Sequence, residues 1–189
     1  AYYLKKQSDI LMEEQMDTVH NLSSLTHRHP VSLIGCGIYV NVALKLLSGS
    51  LPLKEGIIQG MEEAFQYYTG KKWEDISAYD RLTDIKSFAA LPEAEIRSSG
   101  YIVDTLEAAV WCLINTCSFR ECILKAVNLG DDTDTVGAVA GGLAGIYYGA
   151  DNIPQEWLAE ILKRDVIERL CAELECLPQK TGWVNDSLN

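Results

Sequence analysis

The sequence predicts an all-α fold, a compact multi-helix domain. Apolar residues recur at the three- to four-residue spacing of amphipathic helices through most of the 189 residues, and no segment shows a convincing strand-like alternation. Glycine and proline stand between the periodic segments, where helices end and begin. The hydrophobic fraction of 48% suffices for a core and excludes a disordered chain.

The first two predicted helices differ in character. The first covers about residues 9–25 and has acids between its apolar positions, as a surface helix does. The second begins at Pro30, a residue favoured in a first turn, and ends at Gly49. Its sequence SLIGCGIYVNVALKLL is apolar nearly all round, which indicates a central, buried helix.

The remaining helices follow from the same signals. A third spans about residues 53–69 and ends at Gly70. Residues 71–100 are more polar and predict only weak helical turns. Three more helices are predicted at about 101–116, 118–128 and 132–148. Pro154 starts a last amphipathic stretch to about residue 175. We therefore predict one domain at 1–175 and a loose tail at 176–189.

Composition excludes several classes of partner. The chain has 27 acidic and 16 basic residues and a net charge of −11, which argues against nucleic acid as its main ligand. We expect no membrane partner, because no apolar run approaches the roughly 20 residues of a membrane span. The six cysteines form no C-x-x-C pair, which fits a reducing, cytoplasmic location and disfavours a zinc site.

The segment NLGDDTDTVG at residues 128–137 carries the clearest chemistry. Neighbouring carboxylates repel each other, and a divalent cation with oxygen ligands would relieve that repulsion. The alternative is helix capping, which explains one or two of these residues but not three acids. The oxygen-bearing side chains are Asp131, Asp132, Thr133, Asp134 and Thr135.

Two known motifs fail in this segment. An EF-hand loop that starts at Asp132 has Leu143 at its twelfth position, where a bidentate glutamate is required. The D-x-D-x-[TV] pattern of haloacid-dehalogenase-type phosphatases matches residues 132–136. There the first aspartate ends a strand of an α/β domain, whereas here it follows a helical segment. Neither motif therefore explains the acids.

The helix after the acids repeats glycine every four residues, at Gly137, Gly141 and Gly145. Each glycine inside a helix costs about 1 kcal/mol relative to alanine. We expect close approach of a neighbouring helix to offset that cost. The acids would then stand on a rigid element, which suits a metal site.

Three segments together resemble one family. GDDTDTVGAVAGGLAGIYYG at 130–149 resembles the C-terminal signature of the ADP-ribosylglycohydrolase family, whose members remove ADP-ribose from proteins or small molecules. THRHP at 26–30 and SGYIVDTLEAA at 99–109 resemble two other segments of that family, in the same order. The resemblance covers about residues 1–170.

The resemblance implies an all-helical fold with a two-magnesium site at the base of an ADP-ribose cleft. The metal ligands that it carries over are Asp132, Asp134 and Thr135. Asp131 ranks lower, because family members often have glycine at that position. Carboxylate and hydroxyl oxygens suit magnesium better than zinc or copper.

The resemblance also implies substrate-binding residues. His27 matches a position near the substrate's phosphates, and Tyr101 and Ile102 fall on a segment that lines the cleft. From the residues alone, His27 would more often be a capping or core histidine, and Tyr101 a core residue. We expect no functional role for His20 or His29.

Other family motifs are absent from the sequence: G-D-x-x-G, T-D-D-T, the catalytic acid and the G-N-G loop. We therefore expect a domain truncated at its N-terminus just after the G-N-G loop, where AYYLKKQSD resembles the helix that follows. The catalytic residue would lie on the N-terminal part, on the same or another chain. The expected function is magnesium-dependent release of ADP-ribose from an ADP-ribosylated substrate. The alternative is an inactive family member that binds a nucleotide or is structural.

Overall fold

Helices form nearly all the regular structure in a computed structural model, which describes residues 11–176 and, for side chains, residues 11–174. The chain divides into two compact units, Ala1–Ile153 and Pro154–Asn189. No strand occurs among the described residues, which confirms the all-α prediction. The predicted start AYYLKKQSD and all but the first residue of the predicted tail lie outside the described residues, and the predicted domain bounds stay a prediction.

The first unit has seven described α-helices, and six of them have bounds that agree with the predicted ones to within a few residues. The seven are α1 (Met12–Ser23), α2 (Pro30–Ser48), α3 (Leu53–Gly70), α4 (Ile85–Ala89), α5 (Ile102–Ile114), α6 (Phe119–Asn128) and α7 (Thr133–Tyr148). The weak turns predicted between α3 and α5 are α4 and two 3-10 segments, Glu74–Leu82 and Glu93–Glu95.

Helix α2 is the centre of this unit and packs against α1, α3, α5 and α7. The imidazole of His29 accepts a hydrogen bond from the amide of Val31 at 3.3 Å and caps its start. Gly49 ends it in a left-handed conformation with φ 63°. An 18-residue window within its 19 residues has a mean hydropathy of 1.7, so the prediction that no run approaches membrane-span length was wrong for α2. The same composition is needed by a core helix with neighbours on several sides.

Two helix pairs approach closely at glycine. A Cβ on Gly60 of α3 would stand 2.7 Å from the Cα of Val42 on α2. The amide of Asn41, which is 3% exposed, donates to the Gly60 carbonyl at 2.7 Å. The glycine stripe of α7 faces α6, as predicted. A Cβ on Gly137 would lie 3.1 Å from the Val127 side chain of α6. The corresponding distances are 3.2 Å from Gly141 to Ile123 and 3.8 Å from Gly145 to Phe119.

A partly buried ion pair, in which Glu107 is buried and Arg81 is 40% exposed, joins α5 to the segment before it. The side chain of Glu107 on α5 is 3% exposed and accepts a hydrogen bond from Arg81 at 2.6 Å. Arg81 also donates to the carbonyl of Glu95 at 3.2 Å. Burial raises the pKa of Glu107, and the charge of Arg81 opposes that rise. The pair therefore fixes both 3-10 segments against α5.

The second unit contains α8 (Gln155–Glu160) and α9 (Arg164–Cys176). The predicted amphipathic stretch is thus divided in two. Lys163 separates the helices in a left-handed conformation with φ 57°. An ion pair between Arg164 and Glu168 at 2.6 Å, one turn apart, supports α9.

Candidate functional site

The acidic segment enters α7 through an unusual backbone path. Gly130 has φ 91° and Asp131 has φ 53°. Asp132 follows with φ −87° and ψ 65°, and the amide of Thr133 donates to the Asp131 carbonyl at 3.1 Å. This is an inverse γ-turn centred on Asp132. The left-handed φ of Asp131 explains why glycine is acceptable at that position.

The carboxylate of Asp132 stands at the start of α7. It accepts a hydrogen bond from the Thr135 hydroxyl at 2.8 Å, while its carbonyl accepts from the amide of Val136 at 3.1 Å. Hydrogen bonding with the Asp132 side chain lowers the pKa of the exposed Asp134, and backbone amides of Asp134 and Thr135 lower it further. Asp132 is the N-cap residue of α7 and Asp134 lies in its first turn, so both carboxyl groups belong to the positive end of the α7 dipole.

These side chains fit part of a magnesium site. Two carboxylates and one hydroxyl are hard oxygen donors of the kind that magnesium prefers. Within residues 11–174, however, no group of three or more His, Cys, Asp or Glu side chains could by itself hold a metal ion. Magnesium held by these three donors would need further oxygen ligands from water, substrate or other protein groups.

A second segment, Ser98–Ser99–Gly100, supports the acidic loop. The amide of Asp132 donates to the Ser98 carbonyl at 3.1 Å, and the Ser98 hydroxyl donates to the Gly130 carbonyl at 3.1 Å. A Cβ on Gly100 would lie 2.6 Å from a carboxylate oxygen of Asp132. Sequence reasoning did not identify Ser98 or Gly100 as part of the site. The only signal was a run of small residues before a helix.

The predicted substrate residues Tyr101 and Ile102 continue from this segment into α5. The Ser99 hydroxyl donates to the Asp104 carboxylate at 2.6 Å and accepts from the Tyr101 amide at 3.2 Å, so it organises the first turn. Tyr101 is 54% exposed. Ile102 is half-buried and lies 3.0 Å from the Cβ position of Gly35 on α2. The structure thus places Tyr101 and Ile102 next to the residues that contact Asp132.

His27 lies on the loop between α1 and α2 and is exposed. Its amide donates to the Ser23 carbonyl at 2.8 Å. The capping and core roles considered for His27 are filled by the other two histidines. His29 caps α2, and the imidazole of His20 is hydrogen-bonded to the Tyr68 hydroxyl at 2.8 Å. Burial lowers the pKa of His20, against the charge of Asp17.

We expect Gly100→Ala to displace the Asp132 carboxylate. The backbone accepts alanine, but the new methyl group would overlap the carboxylate oxygen, so the side chain must rotate and lose its bond to Thr135. A crystal structure of the variant should show Asp132 in a different rotamer. Gly70→Ala is the control, because a Cβ there meets nothing within 4 Å. An unmoved Asp132 would show that the backbone adjusts instead.

Comparison with known proteins identifies the family. A family model described as ADP-ribosylglycohydrolase matches residues 2–183. The chain is 36% identical over 152 residues to "ADP-ribosylarginine hydrolase Tri1" of Serratia proteamaculans, with 80% of this chain and 38% of that protein covered. It is 46% identical over 137 residues to "ADP-ribosyl-[dinitrogen reductase] glycohydrolase" of Rhodospirillum rubrum, with 72% and 40% covered.

A solved structure gives the same result. A chain of an "ADP-ribosylglycohydrolase-related protein complex" superposes with a TM-score of 0.70 and 30% identity, covering 85% of this chain and 52% of that one. The chain spans about two fifths of the length of the two curated relatives. The three segments at 26–30, 99–109 and 130–149 predicted this relationship. The chain belongs to the ADP-ribosylglycohydrolase family.

Proposed function

We propose that this chain is part of a hydrolase that releases ADP-ribose from an ADP-ribosylated protein or small molecule in the presence of magnesium. The relatives named above are hydrolases of ADP-ribose conjugates. The observation that carries the proposal is the hydrogen bond from the Thr135 hydroxyl to the Asp132 carboxylate at 2.8 Å at the start of α7, whose first turn also contains Asp134.

In this proposal the carboxylates of Asp132 and Asp134 and the hydroxyl of Thr135 would hold magnesium from one side. Magnesium bound there would supply positive charge that orients ribose hydroxyls and polarises water. Tyr101 and Ile102 border the same loop and would contact the ADP-ribose. His27 would face the substrate's phosphates.

The reaction is a glycoside hydrolysis. Water adds to the anomeric carbon of the distal ribose through a transition state with oxocarbenium character, and the linked group leaves with a proton. The carboxylates of Asp132 and Asp134 at the start of α7 would stabilise positive charge near the anomeric carbon. The acid that handles the proton would come from another part of the full-length protein.

The test is Asp134→Asn in the full-length natural protein. Asparagine keeps the size of the side chain but removes its charge, so we expect magnesium to bind about tenfold more weakly or worse, with slower release of ADP-ribose. Calorimetry measures the affinity, and chromatography measures the release.

Asp131→Gly is the matched control for Asp134→Asn. It removes a carboxylate from the same loop, and its left-handed φ of 53° accepts glycine. We expect magnesium affinity to stay within about twofold of the unmodified protein. Equal affinities for all three proteins would refute the ligand assignment. Binding of ADP-ribose by the unmodified protein without any hydrolysis would instead indicate an inactive, nucleotide-binding family member.

A further inference from the structure

Ser98 is a buried polar residue that neither the sequence motifs nor the proposed ligand set includes. It is 2% exposed. It lies just before the segment 99–109 that resembles the family. Its burial therefore needs a structural explanation.

The hydroxyl and the main-chain carbonyl of Ser98 are both directed at the acidic loop. The hydroxyl donates to the carbonyl of Gly130 at 3.1 Å, and the carbonyl accepts from the amide of Asp132 at 3.1 Å. The two bonds therefore lie on either side of Asp131. A single residue thus holds the loop at two points that are two residues apart.

The loop has a left-handed backbone at two successive residues. Gly130 and Asp131 both have positive φ, at 91° and 53°. A residue with a Cβ is disfavoured in the left-handed region, so the loop needs external bonds to keep this path. The Ser98 bonds supply them. The path in turn sets the direction in which the Asp132 side chain leaves the backbone.

We propose that Ser98 is a positioning residue for Asp132 and acts on magnesium through that carboxylate. The inference rests on the proposed function, because it concerns the same cation. Loss of the hydroxyl would leave Asp132 chemically intact but free to sample other loop conformations. Residues that orient a ligand in this way typically contribute about 10- to 100-fold to metal affinity.

The experiment compares Ser98→Ala with the unmodified full-length protein through two readouts. The first is hydrogen exchange of the Asp132 amide in metal-free protein, measured by NMR, which we expect to accelerate about tenfold. The second is magnesium affinity by calorimetry, which we expect to fall about tenfold. Ser98→Cys keeps the side chain's shape with a weaker donor, and it should give intermediate values.

Ser77→Ala is the control, because it removes a hydroxyl bond to the Glu74 carbonyl at 3.0 Å on a distant 3-10 segment. Both of its readouts should match those of the unmodified protein. Magnesium affinity that is unchanged in Ser98→Ala, with or without faster exchange, would overturn the positioning role alone. Absence of magnesium binding by the unmodified protein would overturn the proposed function as well.

Discussion

Replacement of Arg81 by methionine should destabilise the fold by about 2–3 kcal/mol, because a buried carboxylate loses a charged hydrogen-bond donor that is itself 40% exposed. The Glu107 carboxylate is 3% exposed and receives a 2.6 Å bond from Arg81. Methionine fills a similar volume but supplies no charge, so Glu107 must either stay ionised with only the weaker influence of the Arg97 charge or take up a proton. Urea unfolding followed by circular dichroism measures the change.

The loss in Arg81→Met should depend on pH. Burial already holds the pKa of Glu107 above its ordinary value of 4.5, and removal of Arg81 raises it further. The folded state then binds more protons than the unfolded state above pH 4.5, so stability falls as pH rises. We expect a small difference from the unmodified protein near pH 4 and the full loss near pH 7.

Two further variants make this prediction specific. Adding Glu107→Gln to Arg81→Met removes the unpaired charge and should recover stability at pH 7 and abolish most of the pH dependence. Lys45→Met breaks the more exposed pair with Glu63 and should cost less than about 1 kcal/mol. Equal effects of Arg81→Met and Lys45→Met would show that the Glu107 pair is not desolvated.

Gly60→Ala should cost about 2–3 kcal/mol, because the new methyl group meets backbone that cannot rotate away. Its Cβ would stand 2.7 Å from the Cα of Val42 and 3.1 Å from the Val42 nitrogen. Helices α2 and α3 must then separate, which also strains the buried bond between Asn41 and the Gly60 carbonyl. Thermal and urea unfolding measure the loss.

Gly56→Ala is the matched control on the same helix. A Cβ there lies 3.1 Å from the end of the flexible Leu46 side chain, which can shift. Alanine also favours helix over glycine by about 1 kcal/mol. We therefore expect Gly56→Ala to be neutral or slightly stabilising. A loss like that of Gly60→Ala would mean that any added volume between α2 and α3 is unfavourable.

Much of the fold could be predicted because helix bounds depend on local signals. Pro30, Gly49 and Gly70 mark ends that the structure reproduces. The prediction that no apolar run approaches membrane-span length was wrong for α2, because a buried core helix and a membrane span share the same length and composition. Residues 71–100 gave little signal, because their short turns depend on contacts such as the Arg81–Glu107 pair.

The sequence predicted only those residues of the candidate site whose side chains carry the relevant chemical groups. Asp132, Asp134 and Thr135 stand out as oxygen donors, and their role as ligands stays a prediction. Ser98 and Gly100 could not be found in this way, because they act through a carbonyl, a hydroxyl and an absent side chain on residues about 30 positions away. The capping role of His29 rather than His27 likewise depends on the angle at which the chain enters α2.

The glycine stripe of α7 also restricts how that helix can move. Val127, Ile123 and Phe119 of α6 project into the spaces that three absent side chains leave. If α7 slid along α6 by less than one turn, about 5.4 Å, these three α6 side chains would collide with residues of α7 that have side chains of their own. The side chains of α6 therefore fix the register of α7 along it. Small axial shifts of α7 are disfavoured, which restricts the movement of Asp132 at the start of this helix.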